Sequence, residues 1–439
     1  MANALRTRLR VGYATGGIAT GAFGTVPGLL LLPYLTDTLG VSAVVAGVIV
    51  FAPKAWDVIL NPITGRLSDR YGSRRGTRAP FLLWGGIGLA VGFALLFAGP
   101  QSPTVLAGGW VVVTFLLCAT AYSAFQVPYV SLPAELTDDY AERTRLLTWR
   151  VAVLALAILA SGATAPLIRN AVGGPAGYRA MALFVAALIL IGALAAYAAT
   201  RNLRPDAAPA PAGGLLAQLR LVGGVQDFRR LLLTFVIQAL AIGAMLAGVD
   251  YVARYVLRSP ASAAILFGCF VGPALLVTPV WQWLAGRTAK LRGYQLSSLL
   301  LAAGAAGLIT AGRTPAAVTF ILTGLAGVGY AGCQLFPLAM LPDVAGHDAR
   351  RTGENRVGVF TGVWTAGETL GLALGPAIFA VVLAMGGYLS SAGGSVDQPG
   401  SAVLAITVGF SLLPATLILL SLFALPGYAL TKEDVDGRR

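Results

Sequence analysis

Apolar runs of membrane-crossing length recur along the whole chain, separated by short polar joints. A hydrocarbon core about 30 Å thick is crossed by about 20 helical residues, so the pattern predicts twelve transmembrane helices. The expected spans are 11–34, 42–62, 80–99, 105–132, 146–168, 180–200, 230–255, 261–286, 294–312, 315–342, 357–386 and 401–426. Strands of a membrane barrel would show period-two alternation instead, which sets the expected fold class as an all-α integral membrane protein. Gly and Pro inside several spans fit this reading, because neighbouring helices satisfy the backbone groups that such residues free.

Composition agrees: 57% of residues are hydrophobic and 11% charged, with a mean hydropathy of +0.78, whereas soluble domains carry about 25% charged residues. The net charge of +13 raises nucleic acid as a partner, but the basic residues sort by loop rather than gathering on one face. With the N-terminus inside, they occupy the N-terminal arm, the even-to-odd loops and the C-terminal tail. Arg169, Arg179, Arg254, Arg258 and Arg313 lie in or beside the other loops, and Lys54 lies within a span. That asymmetry is the positive-inside pattern. It predicts cytoplasmic termini, a location in a bacterial inner (plasma) membrane, and no nucleic-acid partner. The opening "MANALRTRLRVGYATGG" lacks a small-residue cleavage pattern and reads as an arm leading into the first span. Cys118, Cys269 and Cys333 fall in spans and read as small apolar side chains; His347 falls in a joint.

After the sixth span, "RNLRPDAAPAPAGG" (201–214) reads as a semi-flexible tether. The expected organisation is therefore a six-helix half at 1–200, a linker at 201–229, and a second half with a short tail at 230–439. An internal repeat supports the division: "QVPYVSLPAELTDDYAERTR" in the first half has a counterpart in "QLFPLAMLPDVAGHDARRTG" in the second. In both, an acid precedes an arginine by eight residues, Glu135 before Arg143 and Asp343 before Arg351. Two halves of like topology are typical of transporters that bind solute near the midplane; a chance recurrence of Pro-acid-basic helix ends is the alternative.

Between the second and third spans, "GRLSDRYGSRR" fits the loop motif of the major facilitator superfamily, G-x-x-x-D-R/K-x-G-x-R/K-R/K, through Gly65, Asp69, Arg70, Gly72, Arg74 and Arg75. Glycines there permit a close helix approach, and Asp69 can cap a helix or pair with an arginine. A solvated basic loop would explain the arginines but not the spaced glycines and acid. Around it, "KAWDVILNP", "VPYVSLPAELTDDYAERTRL" and "GENRVGVFTGVWTAGETLGLALGPAI" resemble the glycoside-pentoside-hexuronide:cation symporters over the whole chain in span order. That resemblance implies a twelve-helix secondary transporter in which acids on spans 2 and 4 bind the coupling cation. Asp57 matches the first acid, while Asn61 and Gln126 stand where the family has carboxylates. Glu368 replaces the family's lysine on span 11, and Gly21 replaces an acid used in sugar recognition. Arg150 matches a substrate-binding arginine, and Trp364 with Asp250 completes the candidate substrate contacts.

Charge inside a bilayer is costly and marks ion or substrate pathways by default. Lys54, Asp57 and Asn61 share one helix face, so Lys54 can neutralise Asp57; a packing ion pair without a coupling role is the other reading. Glu368 has no charged residue within one turn, and its partner must be another helix or a proton. It is thus the expected proton carrier, with Lys54, Asp57, Asn61 and Gln126 completing the coupling site. Asp250 and Arg254 are spaced to pair on one face, as a structural or gating contact. Arg150 also reads as an arginine whose charge reaches the cytoplasmic edge.

The chain has no G-x-S-x-G, Walker, H-E-x-x-H or C-x-x-C pattern, so no enzyme, metal site or cofactor is expected. The expected function is alternating-access transport of a small glycoside-like or amphipathic solute by a monomer in the lipid bilayer. The coupling ion is expected to be H+ rather than Na+, because two family acids have become amides. Proton-driven efflux of a lipophilic compound is the alternative, ahead of a membrane-embedded transferase, which would need a polar catalytic cluster; the nearest is the acidic stretch 135–142. A receptor or scaffold would not need Asp57 and Glu368.

Overall fold

The computed structural model describes residues 7–75, 77–136, 140–201, 223–352, 357–393, 396–426 and 428. Most of the linker, 202–222, lies outside them, as do the side chains of Asp69, Glu135 and Arg143. Twelve described helices, or helix pairs, are long and apolar enough to cross a membrane. The expected all-α membrane architecture is observed.

The chain divides into two compact units, one of Met1–Ala212 with Ser390–Val396, the other of Gly213–Leu389 with Asp397–Arg439. The first contains α1 (Thr7–Pro33), α2 (Ala43–Arg75), α3 (Ala79–Leu96), α4 (Thr104–Leu136), α5 (Tyr140–Val172) and α6 (Gly174–Thr200). The second contains α7 (Gln226–Tyr251), α8 (Ser262–Arg287), α9 (Lys290–Gly307), α10 (Ala316–Thr352), α11 (Val357–Met385), and α12 (Gly400–Phe410) with α13 (Leu412–Leu422), which together make the last span. Packing repeats between the units. Helix α1 lies on α5 and α6, α3 on α4 and α6, and α2 on α4; likewise α7 lies on α11 and α13, α9 on α10 and α13, and α8 on α10. Both α1 and α7 end in a single π-helical turn, at Tyr34–Thr38 and Val252–Val256.

Small residues set these contacts, since a glycine lets two helix backbones approach in a medium that gives no hydrophobic drive between them. Gly17 and Gly21 present the missing Cβ of α1 to the backbone of α5, where Arg150 O lies at 3.1 Å and Leu154 O at 3.0 Å from where that atom would be. Helix α2 shows the complementary division of faces: Val44, Val48, Ile59, Ile63 and Leu67 are exposed in an apolar stripe suited to lipid, while Asp57 is 4% exposed.

The helices overrun the predicted spans. The residues expected as a gating loop, Gly65 to Arg75, form the end of α2 rather than a loop, and α10 continues through His347 to Thr352. The apolar run ends, but Leu and Arg favour a helix and Ser and Asp cost it only tenths of a kcal/mol, so a helix already nucleated continues through them. Pro62 interrupts the pattern without ending the helix.

Candidate functional site

Three orphaned oxygens mark the site in the first unit. Asp57 Oδ1 and Asn61 Oδ1 on α2, and Gln126 Oε1 on α4, are buried acceptors without a hydrogen bond. The residues that join these two helices lie beside them in the chain. Trp56 Nε1 donates to Thr120 Oγ1 at 3.3 Å, Ser123 Oγ donates to Thr64 Oγ1 at 3.0 Å, and Gly65 faces Val127 Cγ1 at 3.6 Å. Both numbers rise together, so α2 and α4 run parallel. Asn61 then sits one turn before the Thr64 and Gly65 contacts, and Gln126 one turn after the Thr120 to Ser123 stretch. A buried acceptor left unsatisfied costs about 1–3 kcal/mol. Each of the three has spare acceptor capacity on two helices that pack together.

Lys54 and Asp57 lie within electrostatic range of each other, as their spacing predicted, but among the described residues they make no direct ion pair. Its Nζ lies over the Phe23 ring, 4.8 Å from the centroid, and 5.9 Å from that of Tyr122. Those rings pack on each other in a tilted arrangement, with centroids 4.8 Å apart. The negative ring faces help to hold the ammonium, and Asp57 Oδ1 is left without a hydrogen bond. Phe23 and Tyr122 escaped the sequence reading as functional residues. The signal was present for Tyr122, since Y-S-A-F-Q ending at Gln126 matches Y-A-G-C-Q ending at Gln334 in the repeat.

The other expected residues separate. Gly21 is a packing glycine against α5, not a substrate contact, because its missing side chain faces Leu154 and Ala157. Arg150 lies 5.2 Å over the Tyr129 ring, with its buried Nε unsatisfied; the Tyr129 hydroxyl donates to the Tyr13 carbonyl at 2.7 Å. In the second unit, Asp250 is fully buried and its Oδ2 lies 3.0 Å from Arg254 Nε. The two form the pair that their spacing predicted. Trp364 is 1% exposed and stacks on Phe235 at 4.3 Å, and its Nε1 has no acceptor. Glu368, one turn further along α11, is half-buried. It has neither a hydrogen bond nor an ion pair among the described residues.

At the charged end of α2, Arg74 and Arg75 are exposed, and Arg75 lies 5.9 Å over the Tyr71 ring. Gly72 has a packing reason: Arg78 crosses it, with Nε 3.1 Å from where a Cβ would stand, and donates from Nη1 to Ser131 Oγ of α4 at 2.7 Å. The second unit repeats the arrangement. Lys290, at the start of α9, donates to the Ala339 carbonyl at 3.1 Å and pairs with Asp343 Oδ2 at 2.6 Å, and Ala339 holds the repeat position of Ser131. Asp343 thus pairs with Lys290. We expect Arg78→Ala to remove a charged hydrogen bond worth about 1.5–3 kcal/mol and lower the unfolding temperature of the purified protein. An unchanged transition would show that the Ser131 contact is incidental.

Comparison with known proteins yields three findings. A family model described as MFS/sugar transport protein matches residues 12–432. YagG of Escherichia coli (strain K12) is 28% identical over 98% of this chain and 93% of its own length, and the isoprimeverose transporter of Lactiplantibacillus pentosus is 24% identical over 97% and 89%. The crystal structure of a D-xylose-proton symporter superposes with a TM-score of 0.67 at 16% identity, covering 95% of this chain and 97% of the other, which is a likeness of fold.

Proposed function

This chain belongs to the MFS/sugar transport protein family, a transporter and not an enzyme, and from that premise we propose that it is a proton-coupled symporter of a small glycoside. The observation that carries the coupling is the α2/α4 seam, where Asp57, Asn61 and Gln126 bury three oxygens without partners. One carboxylate among two amides holds one negative charge, enough to bind a single proton. Sodium needs several hard oxygen ligands and must shed its water, and a site with one formal charge offsets that loss poorly. Glycoside specificity is supported by the family and by the isoprimeverose transporter among the relatives. The loop distribution of Lys and Arg supports cytoplasmic termini in a bacterial plasma membrane.

Sodium coupling is a second reading that the two amide oxygens favour, since neutral oxygens are acceptable sodium ligands. Uptake of radiolabelled isoprimeverose into proteoliposomes separates the two. We expect accumulation under an inward proton gradient, abolished by a protonophore, with little response to sodium at constant pH. Strong, saturable sodium stimulation at constant pH would overturn proton coupling.

A further inference from the structure

The repeat puts two tyrosines in register, Tyr122 on α4 and Tyr330 on α10, each four residues before its glutamine. Each packs on a phenylalanine: Tyr122 tilted on Phe23 with centroids 4.8 Å apart, Tyr330 stacked on Phe270 at 4.9 Å. In both pairs the phenylalanine is buried and the tyrosine half-exposed. Gly327 makes the second pair possible. A Cβ there would collide with the Phe270 carbonyl, so α10 lies close on α8 and Tyr330, one turn on, reaches the ring.

The two pairs differ in the charge that faces them. Over Phe23 and Tyr122 lies the Lys54 ammonium, within the roughly 6 Å at which a ring face attracts a cation. Among the described residues no Lys or Arg lies over Phe270 or Tyr330. Glu368 of α11 lies instead within electrostatic range of Tyr330. Gln334 Nε2 donates to the Tyr330 hydroxyl at 3.2 Å and holds the ring in place.

A stacked aromatic pair with an unpartnered carboxylate within electrostatic range of it is the complement of an ammonium group. We propose that Phe270, Tyr330 and Glu368 form a subsite in the second unit that receives a protonated amine carried by the solute, which makes amine-bearing glycosides the favoured substrates. The inference rests on the transport reading for its context, and on the geometry of this unit for its chemistry. A proton on Glu368 would also relieve its charge, but would leave the ring faces without a role. The matching pair in the first unit, already seated against an ammonium, favours the amine.

The test uses the purified full-length protein in detergent with two probes: methyl 2-amino-2-deoxy-β-D-glucopyranoside and its N-acetyl counterpart, which share a ring and differ in charge. Calorimetry should give about tenfold tighter binding of the amine, the scale of a desolvated cation–π contact beside a carboxylate. Glu368→Gln and Tyr330→Leu should abolish the preference, and Tyr330→Phe, which keeps the ring face, should retain it. Equal affinity for both probes, no binding of the amine, or a preference that survives Glu368→Gln would overturn the proposal. Counterflow in proteoliposomes separates this from the transport reading. Preferential binding without counterflow upholds the subsite and removes transport; equal counterflow of both probes upholds transport and removes the subsite.

Discussion

The Asp57→Asn protein is expected to lose gradient-driven accumulation while keeping substrate exchange across the membrane. One coupled positive charge at about 100 mV is worth about 2.3 kcal/mol, which corresponds to an accumulation ratio of about 50-fold at 1.36 kcal/mol per decade. Asparagine preserves the shape and one oxygen of the seam but removes its negative charge, so that ratio should fall to simple equilibration. Exchange should persist because the Lys54 ammonium keeps a second set of partners when the Asp57 charge is lost: it lies over the Phe23 and Tyr122 rings. Had the two been an ion pair, the same substitution would have left a buried lysine unpaired and impaired both activities. Parallel proteoliposome assays of net uptake and counterflow check the split. Full accumulation by a well-folded Asp57→Asn protein would remove the coupling role from this carboxylate and pass it to Glu368.

Gly329→Leu should produce the largest loss of stability. A Cβ at Gly329 would stand 2.7 Å from both Leu301 Cα and Ser297 O of α9, against backbone that cannot rotate away. Beside this contact lies a network that ties four helices. Gln238 of α7 donates to Ser298 and Ser421 at 2.9 and 3.1 Å and accepts from the Tyr294 hydroxyl at 3.0 Å, while Cys333 packs against the two serines of α9. Prying α9 from α10 would strain those bonds as well as the packing. Overpacking against backbone falls at the upper end of about 1–3 kcal/mol, and for a unit of this size each kcal/mol lowers the transition by about 2–4 °C, so about 3 kcal/mol gives an expected fall of about 6–12 °C. Gly268→Ala is the control: nothing lies within 4 Å of its missing Cβ, and alanine favours the helix by about 0.5–1 kcal/mol. A Gly329→Leu protein that melts with the wild type would show that α9 and α10 have room to separate.

The seam residues could be named from the chain because charge and amide groups inside apolar runs stand out against their surroundings. Their partners could not. Lys54 and Asp57 are three residues apart on one helix, which suggested a pair, yet the ammonium is taken by rings from α1 and α4 that lie far away in sequence. Gly21 and Gly72 were both visible as glycines in notable places. Only packing distinguishes the first, which admits the backbone of α5, from the second, which admits the side chain of Arg78. Tyr330 carries the repeat signal that it shares with Tyr122, but Phe270 lies inside an apolar span where an aromatic residue is ordinary, so nothing in the pattern separated it from other lipid or core contacts.

The twelve spans, the internal repeat and the chemical identity of the buried groups were determined by the amino-acid sequence itself, because membrane insertion is a sum of local transfer terms that each residue contributes wherever it falls. The tertiary structure decided how far each helix runs beyond the bilayer, which acceptors remain without partners, and which aromatic faces lie beside an ammonium or a carboxylate. Those outcomes depend on distances of a few ångströms between helices remote in the chain. They are set by where a glycine lets two backbones meet, and no local sum contains that information.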